Sequence, residues 1–414
     1  MAAAPMGTPP ARPAADQRSL RQWVRDNLFS TWWNSLLTLT FAPLLALVIY
    51  RVGRFVFVDG EWEIIKVNLR LLLVWRFPSD QMWRLWTAMF LMAGMFALAA
   101  GAVGAARAAA IAEGTAQPIA RPGLLRRTGP VIVLVALLLW LGRSVTALIL
   151  VAAGVIVTVG LRWLGARLPR QSHSWTLAAA FVAPVAAFVL VTSFGGVPWA
   201  SWGGLLLTLG LAAGGIVISY PLGVLLALGR RSSLPAVRAV CVAYIELIRG
   251  VPLIALLFMG FFMLGFFLPP GAPSLSLPTR AIVVIVMFTA AYVAEVVRGG
   301  LQSIPEGQLE AAYAVGLSPF QATRLIVLPQ ALRAVIPATV GQFISLFKDT
   351  SLVSIIGLVE LLGVAEITTS QDEFRGRGLI FETLVFAAFV YWVGSYTMSR
   401  ESRLLERQLG VGER

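Results

Sequence analysis

The chain has one cysteine, Cys241, one histidine, His173, and two lysines, Lys66 and Lys348, among its 414 residues. A single cysteine excludes an intrachain disulfide, and with only one histidine beside it no metal centre can be built on Cys/His clusters. An enzyme inside the membrane lacks a nucleophile–base pair for the same reason. Cys241 sits in an apolar run and reads as packing, and His173, in RLPRQSHSW, reads as a solvated interfacial residue. A phosphate-binding loop needs Gly-x-x-x-x-Gly-Lys followed by Ser or Thr, but Val67 follows Lys66 and Asp349 follows Lys348. The chain therefore has no such ATP-binding motif and binds no cofactor by this reading. Charge is scarce too, at 13% of residues against 58% hydrophobic. That balance is wrong for a soluble domain of this length and right for a polytopic membrane protein.

Backbone groups in hydrocarbon must be paired within a helix or a closed barrel, and no alternating barrel pattern is present, so the fold class is all-α. Runs of about 20 apolar residues mark the spans. They fall at 32–50, 86–105, 131–142, 145–161, 175–194, 203–228, 237–268, 280–298, 334–358 and 379–398. Residues 130–163 read either as one long tilted helix or as a tight hairpin broken at Gly142-Arg143. Ten spans place both termini inside.

The formal charge is +13, nearly all of it from arginine. Arg162, Arg167, Arg170, Arg230, Arg231, Arg238, Arg298, Arg324, Arg333, Arg400, Arg403 and Arg407 all fall inside in the ten-span order, so the charge is topological and no nucleic-acid partner is expected. The 51–85 loop breaks the rule, because Arg51, Arg54, Lys66, Arg70 and Arg76 face outside; Trp62, Trp75 and Trp83 place part of it in the interface. No secretory leader is present, so the chain is expected to stay whole. Residues 1–16 read as a disordered Ala/Pro-rich lead-in. After it Leu20, Trp23, Val24 and Leu28 alternate helically with Arg18, Arg21 and Arg25, as in an amphipathic surface helix or a solvated lead-in.

The expected divisions are a cytoplasmic segment at 1–30, a transmembrane extension at 31–198, a functional core at 199–400 containing a polar loop at 300–333, and a cytoplasmic tail at 401–414. Within the polar loop, Ser303 before Pro305 and Ser318 before Pro319 read as two helix starts. Gly316 ends the first short helix and Pro329 limits the second. Composition alone also allows a well-structured loop with no further role.

Ionisable residues inside spans are costly and so draw attention. Glu246 and Arg249 share a helix face, beside a kink at residues 250–252. Glu295 and Arg298 repeat the spacing, with Tyr292 one turn earlier. These groups are either structural ion pairs or part of a translocation path. Lys348, Asp349, Thr350 and Ser351 lie near the middle of a span and mark either a broken helix facing a substrate cavity or a seal between paired chains. Asp349 or Glu295 with Thr350, Ser351 and an arginine would complement an amino acid.

The spacing Glu310-Ala311-Ala312, Gly316, Ile326, Leu328-Pro329 resembles the EAA loop of ATP-binding-cassette (ABC) importer permeases. Further stretches resemble the polar amino-acid branch of that family: WGGLLLTL at 202–209, LGRRS at 228–232, YIELIRGVPL at 244–253, AYVAEVVRGG at 291–300, PEGQLEAA at 305–312 and KDTSL at 348–352. With its multi-span extension the chain resembles the larger permease of general L-amino-acid importers. The resemblance implies a five-span permease core and ATPase coupling through Glu310, Ala311, Ala312, Gly316 and Arg324. It also implies an ABC ATPase dimer that uses the ATP, a second permease subunit (sister chain or second copy), an extracytoplasmic substrate-binding protein, and a multi-pass place in the bacterial cytoplasmic (inner) membrane. The rival expectation is a self-sufficient secondary transporter driven by an ion gradient through Glu246, Glu295 or Asp349.

Overall fold

The computed structural model describes residues 19–114 and 124–409; the 1–16 lead-in, Arg18 and the last five residues of the tail lie outside them. The fold is all-α, with no strand among the described residues and one isolated bridge, Gly204 to Glu360. The chain forms two compact units, Met1–Glu61 and Trp62–Arg414.

In the first unit, α1 (Leu20–Leu28) starts at Ser19, whose side chain and that of Gln22 cap each other's backbone amides. Helix α2 (Trp32–Arg54) is capped by Thr31 and continues as a π turn, Phe55–Asp59. None of its residues is buried, which suits a helix whose neighbour is hydrocarbon.

The second unit holds α3 (Glu63–Val74), α4 (Met82–Ala112), α5 (Leu124–Gly142), α6 (Val145–Arg167), α7 (His173–Thr192), α8 (Gly204–Arg230), α9 (Pro235–Arg249), α10 (Leu253–Met263), α11 (Leu277–Gln302), α12 (Glu306–Ala314), α13 (Pro319–Ala322), α14 (Leu328–Asp349), α15 (Leu361–Thr368) and α16 (Ile380–Leu409). Among the described residues, eight helical segments are long and apolar enough to cross a bilayer, nine if α9 and α10 count as one. The apolar part of α5, Gly129–Gly142, is shorter than a bilayer needs, and α5 and α6 form the hairpin rather than one long helix. Arg143 takes a left-handed φ of 45° at that break.

Three local expectations are corrected, and one is sharpened. The run 237–268 breaks at the expected kink, into two helices bent by 107° at Gly250 and Pro252, the geometry of a broken span or a re-entrant loop. Ser303 starts no helix: it caps the end of α11, its hydroxyl donating to the Gly300 carbonyl, and Pro305 precedes α12. Pro329 stops nothing, because α13 runs through a π turn, Thr323–Val327, into α14 with that proline in its first turn, where the missing N–H costs little. The Lys348 group lies not mid-span but at the end of α14, where the helix tightens to 3-10 over Thr350–Ile356 and stops at Gly357, φ 86°.

Two ends of the second unit follow from contacts. A Cβ on Gly300 would lie 2.8 Å from the Ala331 carbonyl, and Arg231 donates to the Leu301 carbonyl at 3.2 Å, so the ends of α8 and α11 and the start of α14 sit together beside α12 and α13. At the opposite, far end the Gly204 amide donates to Val359 at 2.8 Å. Helix α3 buries Ile64, Ile65, Asn68, Leu69 and Leu72 along one stripe at this far end, against Leu361, Val364 and Phe374. The arginines of the troublesome loop are engaged locally. Arg70 donates to the Phe77 carbonyl and Ser79, Arg76 stacks on Trp75, Lys66 pairs with Glu63, and Arg54 pairs with Asp59 in the first unit. Arg84 likewise donates to the carbonyls of Leu190, Ser193 and Phe194, closing the end of α7.

Helices α4 and α6 approach closely because glycines face each other: a Cβ on Gly101 would lie 2.0 Å from the Arg162 carbonyl, and one on Gly165 2.0 Å from that of Leu98. Gly101→Val is expected to part the pair and lower the thermal midpoint of the purified protein by roughly 5 °C or more. An unchanged midpoint contradicts this close approach.

Candidate functional site

The polar loop builds a compact projection. Helix α12 ends in a Schellman motif: the Leu317 amide donates to the Ala312 carbonyl at 3.1 Å and the Gly316 amide to Tyr313 at 2.9 Å. That geometry needs φ of 84° at Gly316, where nothing else crowds a Cβ. Ser318 and Gln321 then cap α13 reciprocally. Ala312 and Ala322 are buried and seat the two short helices on the core. Glu310, Ala311, Gly316 and Arg324 face outward, as do Tyr313, Val315, Phe320 and Leu325. The projection thus exposes apolar side chains among its polar ones.

The predicted path residues fall into two groups. Glu295 is the hub of the first: it accepts from Arg298 Nε at 3.0 Å and also from its Nη2, and its other oxygen lies 3.4 Å from Arg249 and 3.5 Å from Arg230. Arg249 also lies over the Tyr292 ring, 5.5 Å from its centroid. Glu246 does not pair with its helix neighbour Arg249; it accepts from Arg230 on α8 at 2.8 Å. The network thus ties α8, α9 and α11 together with three guanidiniums and two carboxylates. Arg230 was not among the candidates, although it lies in the LGRRS stretch; only the fold brings it to Glu246, 16 residues away.

The second group lies elsewhere. Lys348 is exposed, Asp349 half-buried and Thr350 buried, and the Thr350 and Ser351 hydroxyls donate to the carbonyls of Phe347 and Lys348. Gly300 lies level with Ala331 and Val335. Counting about 1.5 Å per residue from there separates Asp349 from Glu295 by on the order of 15 Å along the bundle. One amino acid cannot touch both. Two open surface cavities, about 510 and 440 Å³, lie along Ile49 to Val58 and between Trp75 and Ser201, and neither is lined by a site residue.

Sequence reasoning missed Glu360, which is fully buried at the far end between spans. It caps α15 through the amides of Leu362 and Gly363, both at 2.9 Å, and accepts from Tyr391 at 2.8 Å and Thr208 at 3.2 Å. Burial pushes its carboxyl above the usual range, opposed by the Leu362 amide, Tyr391, the Gly363 amide and Thr208. The available signal was a lone acid in the apolar run SIIGLVELLGV.

Residues 219–411 match the family described as binding-protein-dependent transport system inner membrane component. The chain is 37% identical to the glutamate/glutamine/aspartate/asparagine transport system permease protein BztC of Rhodobacter capsulatus, over 96% of each chain. It is 37% identical to the inner membrane amino-acid ABC transporter permease protein YhdY of Escherichia coli, over 97% of each. Among solved structures, the crystal structure of an amino acid ABC transporter with histidines is 33% identical over 49% of this chain and 91% of that one, with a TM-score of 0.44. A full-length match at this identity places the chain plainly: it is an integral membrane protein of the ABC transporter permease family to which BztC and YhdY belong.

Proposed function

We propose that this chain is the permease subunit of an ATP-driven amino-acid importer in the bacterial cytoplasmic membrane, with an extension before residue 199 and the transport core after it. The observation that carries the reading is the projecting α12–Gly316–α13 element, seated by Ala312 and Ala322 and exposing Glu310, Ala311, Tyr313, Val315 and Phe320. A pair of ATPase subunits, which bind the ATP, receives this element on the cytoplasmic side. ATP-driven closure of that pair moves α12, and because α11 and α14 flank it, the motion enters the spans and shifts an inward-open to outward-open equilibrium. A second permease chain supplies the other half of the path, and an extracytoplasmic binding protein delivers substrate at the far end. Glutamate, glutamine, aspartate and asparagine, named for BztC, are the first substrates to test.

Within the path, Asp349, Thr350 and Ser351 suit an amino acid's ammonium and polar groups, and the exposed Lys348 beside them suits a carboxylate. Glu246, Arg249, Tyr292, Glu295 and Arg298 border the path nearer the coupling end and hold its helices.

The test is uptake into proteoliposomes carrying the complex isolated from native membrane. Glutamate or glutamine accumulation that requires ATP on the coupling side and survives an ionophore supports the proposal. Uptake by this chain alone that collapses with the ion gradient establishes the secondary transporter instead.

A further inference from the structure

Glu360 does more than cap a helix. Capping α15 needs only the two amides of Leu362 and Gly363. The remaining bonds reach two other helices: Tyr391 on α16 donates to Oε2, and so does Thr208 on α8. Among the described residues no salt bridge reaches this carboxylate, so neutral donors alone hold it. Helices α8 and α16 each pack on α14 and α15 and little on one another. The carboxylate therefore sits at a point where α8, α15 and α16 meet, bonded to all three.

The joint is stitched further by neighbouring contacts. The Leu361 amide donates to Thr208 Oγ1 at 3.2 Å, and the Gly204 amide donates to Val359 at 2.8 Å. A Cβ on Gly204 would lie 2.6 Å from the Leu72 carbonyl, so α3 rests directly on the same joint. Asn68 of α3 also accepts from Gln371, just beyond α15, at 2.7 Å. On the inner side, Tyr391 Oη lies 3.4 Å from Thr350 Oγ1, next to Asp349.

From this geometry we infer that Glu360 is a positioning residue for transport: its carboxylate latches α15 to α8 and α16, so that the far end opens and closes as one unit. The physical reason is the cost of an under-satisfied buried acceptor: α8 and α16 each supply one donor, Thr208 and Tyr391, so a helix that parts from the joint leaves the buried carboxylate short of a bond until water replaces it. Through Tyr391 the same latch reaches Thr350, the chain neighbour of Asp349. This inference rests on the transport reading above.

The test uses the complete transporter in native-membrane vesicles, measuring glutamate or glutamine uptake per ATP hydrolysed, together with the level and thermal midpoint of the purified complex. Tyr391→Phe removes one hydroxyl and keeps the ring, so assembly and midpoint are expected to stay near wild type. Each lost bond to an ionised group shifts the balance of closed and open far ends on the order of tenfold. Uptake per ATP is accordingly expected to fall severalfold, with ATP hydrolysis in the absence of substrate rising. Glu360→Gln is expected to do the same more strongly, and the double variant to match Glu360→Gln alone, because both act on one latch. The inference is overturned if Tyr391→Phe, present at normal level, keeps the wild-type ratio of uptake to hydrolysis, or if the variants lower the midpoint and leave that ratio unchanged. Loss of the transport reading itself would appear separately, as an absence of ATP-driven uptake in the wild-type vesicles.

Discussion

Gly316→Pro is expected to abolish coupled uptake while leaving the chain in the membrane. Proline fixes φ near −65°, whereas the turn after α12 needs 84° at this residue. The Schellman bonds from Gly316 and Leu317 then cannot form, and α13 leaves α12 at a different angle. The spans are long apolar helices packed on each other, and none depends on this turn for its own hydrogen bonds. The damage is therefore expected at the ATPase contact, as uptake reduced to background with near-normal membrane levels and residual uncoupled ATP hydrolysis. Gly316→Ala is a useful control. Nothing within 4 Å crowds its Cβ, so the cost is the left-handed conformation alone, about 1 kcal/mol, and uptake should survive in good part. Normal uptake by the proline variant would remove the coupling role from this turn.

The second large effect is expected at Glu295. Replacing it with alanine leaves Arg230, Arg249 and Arg298 facing one another without the carboxylate that all three approach. Breaking a fully buried pair costs about 3–5 kcal/mol; Glu295 is 24% exposed, so solvent screens part of that and ~2 kcal/mol is the reasonable scale. The three helices it joins should loosen at the coupling end, lowering the thermal midpoint and the maximal uptake rate at least tenfold. The apparent KM is the discriminating number. With Arg298 on one carboxylate oxygen and Arg249 and Arg230 about 3.4 and 3.5 Å from the other, the charge of Glu295 is already balanced inside the protein, so KM in the milder Glu295→Gln variant should stay within about twofold of wild type. A large rise in KM with a normal maximal rate would place Glu295 in contact with substrate.

The membrane fold was legible because a span declares itself locally, through a run of apolar residues long enough to cross hydrocarbon. The α12–Gly316–α13 turn was legible for a similar reason, since glycine, serine and proline act on the backbone within a few residues, whereas at Gly142-Arg143 the sequence left a hairpin and one long helix open and the fold chose the hairpin. Pro329 shows the limit of that logic, since a proline in the first turn of a helix is compatible with a preceding π turn, and only the three-dimensional path tells the two apart. Ser303 shows it again, because a serine hydroxyl serves the end of α11 as readily as the start of α12.

What could not be read from the sequence is pairing across the chain. The i, i+3 spacing brought Glu295 to Arg298 correctly, yet it also implied a Glu246–Arg249 partnership that the fold replaces with Arg230 on one side and Glu295 on the other. Helix α3 looked like an interfacial loop with misplaced arginines; its buried stripe has meaning only against α15 and the start of α8. Glu360 had no local side-chain partner to announce it. Its side-chain donors lie 152 and 31 residues away in sequence, at Thr208 and Tyr391.

The most direct test of the account is a detergent pull-down of the tagged chain from its native membrane, assaying ATPase activity in the eluate for wild type and Glu310→Arg. The account predicts an ATPase that co-purifies with the wild-type chain and is lost when the exposed carboxylate of α12 is reversed in sign. A wild-type eluate without ATPase activity, under conditions that preserve membrane complexes, or full activity in the variant, would contradict it.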